Sequence, residues 1–575
     1  MVALTDATQR RLTIQVADIA PQTRTIRSLD WDRDRFDIEF GLQNGTTYNS
    51  YLIESDKVAL IDTSHAKFRE LYLETLQGLI DPAKIDYLVI SHTEPDHSGL
   101  VRDVLELAPN ATVVGSKVAI QFLEDLVHRP FERQIVKNGD RIDLGQGHEL
   151  EFVIAPNLHW PDTAFTYDHG TQTLFTCDAF GLHYCSEATF DEDLASIEPD
   201  YRFYYECLMA PNARSVLSAL KRMDPLGPIQ TIANGHGPIL HHNVEELVGR
   251  YRTWSQAKAK AETQVAVFYV SDYGYSDRLT QAIARGITKT DVAVEMMDLK
   301  SADPQEVQEL VGRSAGLVIS LPPVASAQTQ TSQASLSTIL AAAHSKQSFG
   351  LVESYGGDDE PIDPLVNQLR DLGLTEAFPA IRIKETPQES IYQRCEESGT
   401  DLGQFLNRDR SIQQMKSLDA DLDKALGRLS GGLYIITARK GGLSSAMLAS
   451  WVSQASFKPL GFTIAVAKDR AIESLMQVGD RFVLNVLEEG KHLGLMKHFL
   501  KRFPPGADRF AGVKTQTADN GSPILTDALA YLECEVASRM ECSDHWLVYS
   551  TVQAGRVSNP EGVTAIHHRK VGNHY

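Results

Sequence analysis

The stretch Ser91-His-Thr-Glu-Pro-Asp-His-Ser-Gly99 sets four metal-capable side chains, His92, Glu94, Asp96 and His97, close together in the chain. It follows Tyr87-Leu-Val-Ile90, a short apolar run of the kind that makes a fully buried strand. The loop leaving the end of such a strand is where ligands gather in α/β layers. Imidazole and carboxylate together suit iron, manganese or zinc. No cysteine lies nearby, which argues against a structural zinc knot or an iron–sulfur cluster.

Further ligands must come from elsewhere, because a dinuclear centre needs about seven donors including one bridging carboxylate. The same block offers His159 in Asn157-Leu-His-Trp-Pro-Asp-Thr163, Asp178 in Phe175-Thr-Cys-Asp-Ala-Phe-Gly181 and His236 in Ala233-Asn-Gly-His-Gly-Pro238. Each follows an apolar, strand-like run and sits beside or close to Gly or Pro, where a strand-end loop presents a side chain. His65, His128, His148, His169, His241 and His242 read as solvated or structural. His183, five residues after Asp178, reads as lining the pocket or supporting a ligand. Tyr204 and Tyr205 read as core aromatics.

A chain of 575 residues is too long for one core, and usual domain sizes suggest roughly three or four units. The formal charge of −21 makes nucleic acid and anionic membranes poor partners, since its field repels phosphate. No run approaches the ~20 apolar residues of a spanning helix, so an integral membrane protein is not expected. The N-terminus lacks the apolar core of a secretory signal. The six cysteines are widely spread with no Cys-x-x-Cys pair, which fits reduced thiols in a cytoplasmic protein and excludes a rubredoxin-type iron centre.

Residues 32–262 alternate strand and helix patterns and carry all the metal candidates. Residues 263–406 open on Gln264-Val-Ala-Val-Phe-Tyr-Val270 and repeat strand, glycine-bearing turn and helix, the pattern of a doubly wound parallel sheet. Within them, Ser326–Lys346 reads as a loop followed by a helix. Residues 407–427, with Ile412, Met415, Leu418, Leu422 and Leu426 at helical steps, predict an amphipathic connecting helix. Residues 428–575 change to short β-branched strands broken by Gly and Pro, as in a small β-barrel.

The first block resembles the metallo-β-lactamase superfamily, an αββα fold whose hydrolases carry His-x-His-x-Asp-His followed by distant His, Asp and His. Here the second histidine is Glu94, and that replacement resembles the flavodiiron proteins, also called A-type flavoproteins. An anionic oxygen ligand favours harder, redox-active iron over zinc. Carried over position by position, the resemblance implies two irons: one held by His92, Glu94 and His159, the other by Asp96, His97 and His236, with Asp178 bridging them.

In the second block, Ser271, Asp272, Tyr273, Gly274, Tyr275 and Ser276 form a turn at a helix N-terminus, which aims backbone N–H groups at a phosphate. With Pro322 in Ser320–Ser326, and Ser354, Tyr355, Gly356 and Gly357 in Glu353–Asp359, they resemble the three loops of a flavodoxin-like domain and imply FMN. Asp272 and Asp277 depart from the pattern by placing acid near the phosphate. In the third block, Ser450, Trp451, Ser453, Gln454 and Ser456 lead into Lys458-Pro-Leu-Gly-Phe. These residues resemble the flavin reductase family, a split β-barrel that holds FMN or FAD and accepts hydride from NADH or NADPH. Asn485 is a further candidate contact, and the absence of a Gly-x-Gly-x-x-Gly fingerprint suits a nicotinamide that stacks on the flavin.

The resemblance spans about residue 32 to 575 and implies the cyanobacterial type of diflavin flavoprotein, a multidomain α/β protein. Its expected activity is NAD(P)H-dependent reduction of oxygen to water, with nitric oxide reduction to nitrous oxide alongside. A head-to-tail homodimer, or a heterodimer with a related chain, is expected. The competing readings are a zinc hydrolase with accessory flavin domains and an electron-relaying partner in a heteromeric complex.

Overall fold

The computed structural model describes residues 11–33, 35–36, 40–42, 44–260, 263–271, 275–300, 302–321, 330–353, 363–383, 386–417 and 420–569. The chain divides into two compact units, Met1–Glu262 with Ala293–Asp298, and Thr263–Val292 with Leu299–Tyr575.

The first unit is built on two sheets. One runs in chain order: β1 (Leu12–Ala20), β2 (Thr23–Asp30), β3 (Thr46–Glu54), β4 (Val58–Ile61), β5 (Ile85–Ile90), β6 (Thr112–Gly115) and β7 (Arg133–Ile135). It is antiparallel from β1 to β4 and parallel from β4 to β7. The other contains β8 (Arg141–Gly145), β9 (His148–Ile154), β10 (Ala164–Asp168), β11 (Thr173–Cys177) and β12 (Thr231–Asn234), again in chain order.

Successive side chains on a strand point to opposite faces, so an apolar run must be covered on both sides. Ile53, Ile61, Val89 and Val114 of the first sheet meet Ile142, Leu150, Phe152 and Phe175 of the second. Their neighbours Leu52, Leu60, Leu88 and Val113 turn outward onto α1 (Arg69–Leu79), α3 (Val101–Leu107) and α4 (Lys117–Val127), the short α2 (Pro95–Ser98) lying between. On the far side, Val153, Phe165 and Leu174 pack on α5 (Leu194–Tyr204), α6 (Ala213–Met223) and α7 (Val244–Ala259). The result is the four-layer αββα sandwich.

In the second unit, β13 (Gln264–Tyr269), β14 (Gly316–Leu321), β15 (Ser348–Glu353) and β16 (Thr375–Glu376) are parallel neighbours in that order. Such pairing needs crossover connections, supplied by α8 (Tyr275–Thr288), α9 (Pro304–Arg313), α10 (Gln330–Ala342) and α11 (Asp363–Asp371). The helix within Ser326–Lys346 is α10. Helix α12 then runs unbroken from Glu389 to Ser417, and a short helix covers Ala420–Leu426.

The rest of this unit is built on a seven-stranded antiparallel sheet. Its strands are β17 (Tyr434–Lys440), β18 (Leu443–Ala449), β19 (Val452–Phe457), β20 (Leu460–Ala467), β21 (Arg481–Val486), β22 (Ala530–Cys542) and β23 (His545–Val557), ordered β18-β17-β21-β22-β23-β20-β19. Bulges interrupt the long β22–β23 ladder near Cys534 and Ser538. Each adds a residue to one side and bends the ladder, which curls the sheet around Ile436, Ile464, Val466, Phe482, Leu484 and Val548.

Candidate metal centre

β5 ends at Ile90, and Ser91–Glu94 turn straight into α2, whose Pro95 takes the first helical position, where a missing N–H costs nothing. That turn presents His92 and Glu94 from the loop and Asp96 and His97 from the helix. Asp178 immediately follows β11, His236 lies just past β12, and His159 stands in the β9–β10 connection. Several of these turns use left-handed backbone at non-glycine residues: Asp62 (φ 57°), Asn157 (φ 64°), Cys177 (φ 52°) and Phe180 (φ 64°). Such conformations persist only where the surroundings enforce them and cluster at functional sites.

The side chains converge in two groups. His92, Glu94, His159 and Asp178 form one, and Asp96, His97 and His236 the other. Asp178 spans both. Its Oδ1 lies 3.0 Å from His97 Nε2 and 3.1 Å from His236 Nε2, while its Oδ2 lies 3.3 Å from His159 Nε2 and 3.5 Å from His92 Nε2. Glu94 Oε2 stands 3.1 Å from His159 Nε2 and 3.4 Å from His92 Nε2. Asp96 reaches His97 at 3.5 Å and His236 at 3.4 Å. Glu94 and Asp96 are the two partly exposed members, so the cluster opens on their side.

Neighbouring polar groups set two of the imidazoles, His92 and His236. The Asp162 carboxylate accepts from His92 Nδ1 (2.8 Å), from Thr93 N (2.7 Å) and from Thr93 Oγ1 (2.6 Å). The Thr47 carbonyl accepts from His236 Nδ1 at 2.6 Å. Fixing Nδ1–H in this way leaves Nε2, the atom turned to the centre, free to bind a metal. Gly235 permits the tight approach: a Cβ there would stand 2.7 Å from His97 Cε1.

Burial works against charge on His92, yet Asp162, Glu94 and Asp178 outweigh it and raise its pKa well above that of a free imidazole. Burial opposes charge on His97 and His159 as well, but the carboxylates lift them to about 9 and about 10. Asp178, which burial alone would push up, is held well below the ordinary carboxylate range by the histidines. Asp178 Oδ2 and Asp96 Oδ1 are buried without a well-formed hydrogen bond. A pair of cations fits this donor set: it would replace the imidazolium protons and satisfy those oxygens.

Sequence reasoning missed Asp162, although it lies in the Trp-Pro-Asp-Thr segment that flags His159; a buried carboxylate three residues after a candidate ligand is the signal. Tyr204 does more than pack. It is buried as expected of a core aromatic, but its hydroxyl also donates to Asp178 Oδ1 at 2.9 Å. His183 accompanies it, with its ring centred 4.6 Å from His236 and 4.9 Å from Tyr204 and its Nδ1 2.7 Å from Thr46 Oγ1. Burial drives the His183 pKa well below 6.5, so the ring is neutral. The remaining histidines serve locally: His65 caps a turn, and His148 and His169 pair with Asp168 and Glu151.

Of the expected FMN contacts, Ser271 and Ser276 are fully buried at the β13–α8 junction, where the Ser271 hydroxyl lies 3.1 Å from Asp277 Oδ2. Asp272, Tyr273, Gly274, Pro322, Ser354, Tyr355, Gly356 and Gly357 lie outside the described residues, as does the side chain of Tyr275. In the barrel, Ser450 is buried on the wall of a cavity of about 390 Å³. Trp451 is half-exposed beside His545, Ser453 and Gln454 are exposed, and Ser456 Oγ bonds the Pro459 carbonyl and the Tyr549 hydroxyl. None of these four lines that cavity. Asn485 does not face it either: its amide is spent on the Ile435 carbonyl, Thr437 Oγ1 and Leu525 N, because it ties β17 to β21 inside the barrel.

Comparison with known proteins gives this geometry its context. Residues 46–237 match the ODP family β-lactamase model and residues 426–573 the flavin reductase like domain. A diflavin flavoprotein A 3 of Nostoc sp. (strain PCC 7120) is 73% identical over 576 residues, covering 100% of both chains. Diflavin flavoprotein A 1 of Synechocystis sp. (strain PCC 6803) is 71% identical over 568 residues, covering 99% of each. Among solved structures, the metal-soaked Flv1 flavodiiron core from Synechocystis sp. PCC6803 superposes with a TM-score of 0.65 at 38% identity, covering 69% of this chain and 99% of that one. With such identity along its entire length, the chain belongs to the diflavin flavoproteins, flavodiiron oxidoreductases that move electrons between flavin and diiron cofactors.

Proposed function

We propose that this protein uses NADH or NADPH to reduce oxygen to water at a non-haem diiron centre, and nitric oxide to nitrous oxide as a lesser activity. In this reading hydride enters at an FMN or FAD in the barrel, and electrons pass through FMN in the flavodoxin-like domain to the metal pair. His92, Glu94 and His159 hold one iron, Asp96, His97 and His236 the other, and Asp178 bridges. Two such chains pair head to tail, so that the FMN of one serves the centre of the other.

The observation that carries this reading is Asp178, whose two oxygens each face a different histidine pair. When bound, two irons supply paired changes of valence at adjacent sites. The chain supplies the rest. Asp162 and the Thr47 carbonyl hold the protons on Nδ1 of His92 and His236, so both rings turn Nε2 inward. Tyr204, its pKa raised far above 10 by burial, keeps its proton and donates to Asp178 throughout. Glu94 sets the metal preference, since an anionic oxygen favours iron where a third imidazole would favour zinc.

The deciding experiment is metal and flavin analysis of the isolated protein alongside oxygen consumption with NADH and NADPH. Two irons per chain and turnover without peroxide are expected. Two zincs, with hydrolytic activity, would overturn the reading in favour of a hydrolase, and persistent peroxide release would remove four-electron chemistry. The Glu94→His variant grown in equal iron and zinc is expected to carry a higher zinc-to-iron ratio than the parent; an unchanged ratio would deny Glu94 that role.

A further inference from the structure

The cavity of about 390 Å³ in the second unit has two kinds of wall. The barrel side offers apolar surface from Leu433, Met447, Phe499 and Phe503, with Arg470 and Lys501 beside it. The other side is helix α12, which contributes Gln393, Glu396, Thr400 and Gln404. The volume falls within the ~300–1,000 Å³ of small-molecule sites. A pocket that combines apolar walls with cationic side chains suits a planar ring system carrying a phosphate.

The helix is fixed against the barrel by buried charge. Glu396 accepts from Arg285 and, at 2.5 Å, from Lys289, whose ammonium also reaches Glu473 at 2.6 Å. Glu473 in turn pairs with Arg539 of β22 at 2.5 Å. Glu397 pairs with Arg509 at 3.0 Å and accepts from Gly506 N at 2.8 Å. Asp401, the third acid that α12 gives to the lining, pairs with Arg502 at 2.7 Å, so these three carboxylates are neutralised by their own partners and do not oppose an anion in the cavity. On this wall Gln393 Nε2 is buried with no hydrogen-bond acceptor among the described residues. A buried donor left unpaired is costly, and a bound molecule with a carbonyl or phosphate oxygen would satisfy it.

We infer that the flavin of the barrel is held in a composite pocket, with α12 supplying one wall and Gln393 a hydrogen bond, so that the barrel by itself lacks a complete site. This rests on the reading that the barrel carries a flavin. It assigns to α12, which otherwise only follows the parallel sheet, a part in binding that cofactor.

The test uses the full-length protein and counts flavin released per chain, together with titration of the depleted protein by FMN and by FAD. The parent should carry two flavins. Gln393→Trp, which fills the cavity from the helix side, should carry one, while Gln393→Leu should bind the second flavin about tenfold more weakly. Retention of the first flavin, and an unfolding temperature equal to the parent's when both are depleted of flavin, show that both variants fold. Two flavins bound with parental affinity in both variants would overturn the composite pocket. A parent that takes up only one flavin would instead overturn the assignment of a flavin to the barrel, and the composite pocket with it.

Discussion

Asp162 is not itself proposed to hold a metal, yet three hydrogen bonds, one from His92 and two from Thr93, aim it at the base of the ligand loop. Replacing it with Asn keeps the shape and removes the charge that holds His92 in its orientation. Loss of such an orienting partner costs ~10–100-fold in metal affinity, so the Asp162→Asn protein should release iron at ~10–100-fold lower chelator concentration. Equal chelator resistance would show that His92 needs no anchor. Gly235 works by absence, because any Cβ there meets His97 Cε1 at 2.7 Å and the Cys177 carbonyl carbon at 3.1 Å. Gly235→Ala should therefore displace His97 and lower iron toward one per chain, read by metal analysis with flavin content unchanged. Full iron occupancy would mean that the strand end yields more easily than its packing suggests.

At the scale of elements, α12 best shows how a buried face escapes notice. Its described core-facing residues include Cys395, Glu396, Ser398, Gly399 and Leu402, all buried. Small and charged residues of this kind pack by close approach and ion pairing, so they leave no apolar stripe to count. The expected connecting helix over 407–427 thus belongs, through Ser417, to a helix that begins at Glu389, and Leu422 and Leu426 of its predicted stripe are exposed. The crossing of α12 with α8 depends on glycine: a Cβ on Gly399 would stand 2.1 Å from the Ile283 carbonyl oxygen, and one on Gly286 2.0 Å from that of Glu396. Overpacking of this sort costs ~1–3 kcal/mol. Gly399→Ala should lower the urea midpoint of the second unit accordingly, and a midpoint equal to the parent's would show that the helices can separate at no cost.

At the scale of the molecule, the second unit carries a buried chain of charges through Arg285, Glu396, Lys289, Glu473 and Arg539. Burial alone would raise the Glu473 pKa, but Lys289 and Arg539 outweigh it and hold the carboxyl at about 2, below its ordinary 4.5. A depressed carboxylate contributes stability above its unfolded value and loses it as pH falls through the folded one. Between about pH 4.5 and pH 2 the unit should therefore lose about 3 kcal/mol on account of this group. Urea unfolding followed against pH should show Glu473→Gln less stable at neutral pH and less steep in that window; parallel curves would show that the carboxylate is not coupled to folding. Among the described residues no helix is long and apolar enough to cross a membrane, in keeping with the lack of any long apolar run.

The amino-acid sequence by itself determined the doubly wound sheet and the barrel, because hydrophobic periodicity and turn chemistry are local, whereas the αββα block was legible only through the family resemblance that its ligand motif carries. It also nominated all seven positions proposed to hold metal, because ligand types at strand ends are legible one loop at a time. Only the tertiary structure decided that Asp178 divides its oxygens between two histidine pairs, that Asp162 and Thr47 orient the rings, and that α12 walls the barrel cavity. Those relations join residues tens to hundreds of positions apart, and their energies come from burial and charge pairing that exist only once the layers have closed.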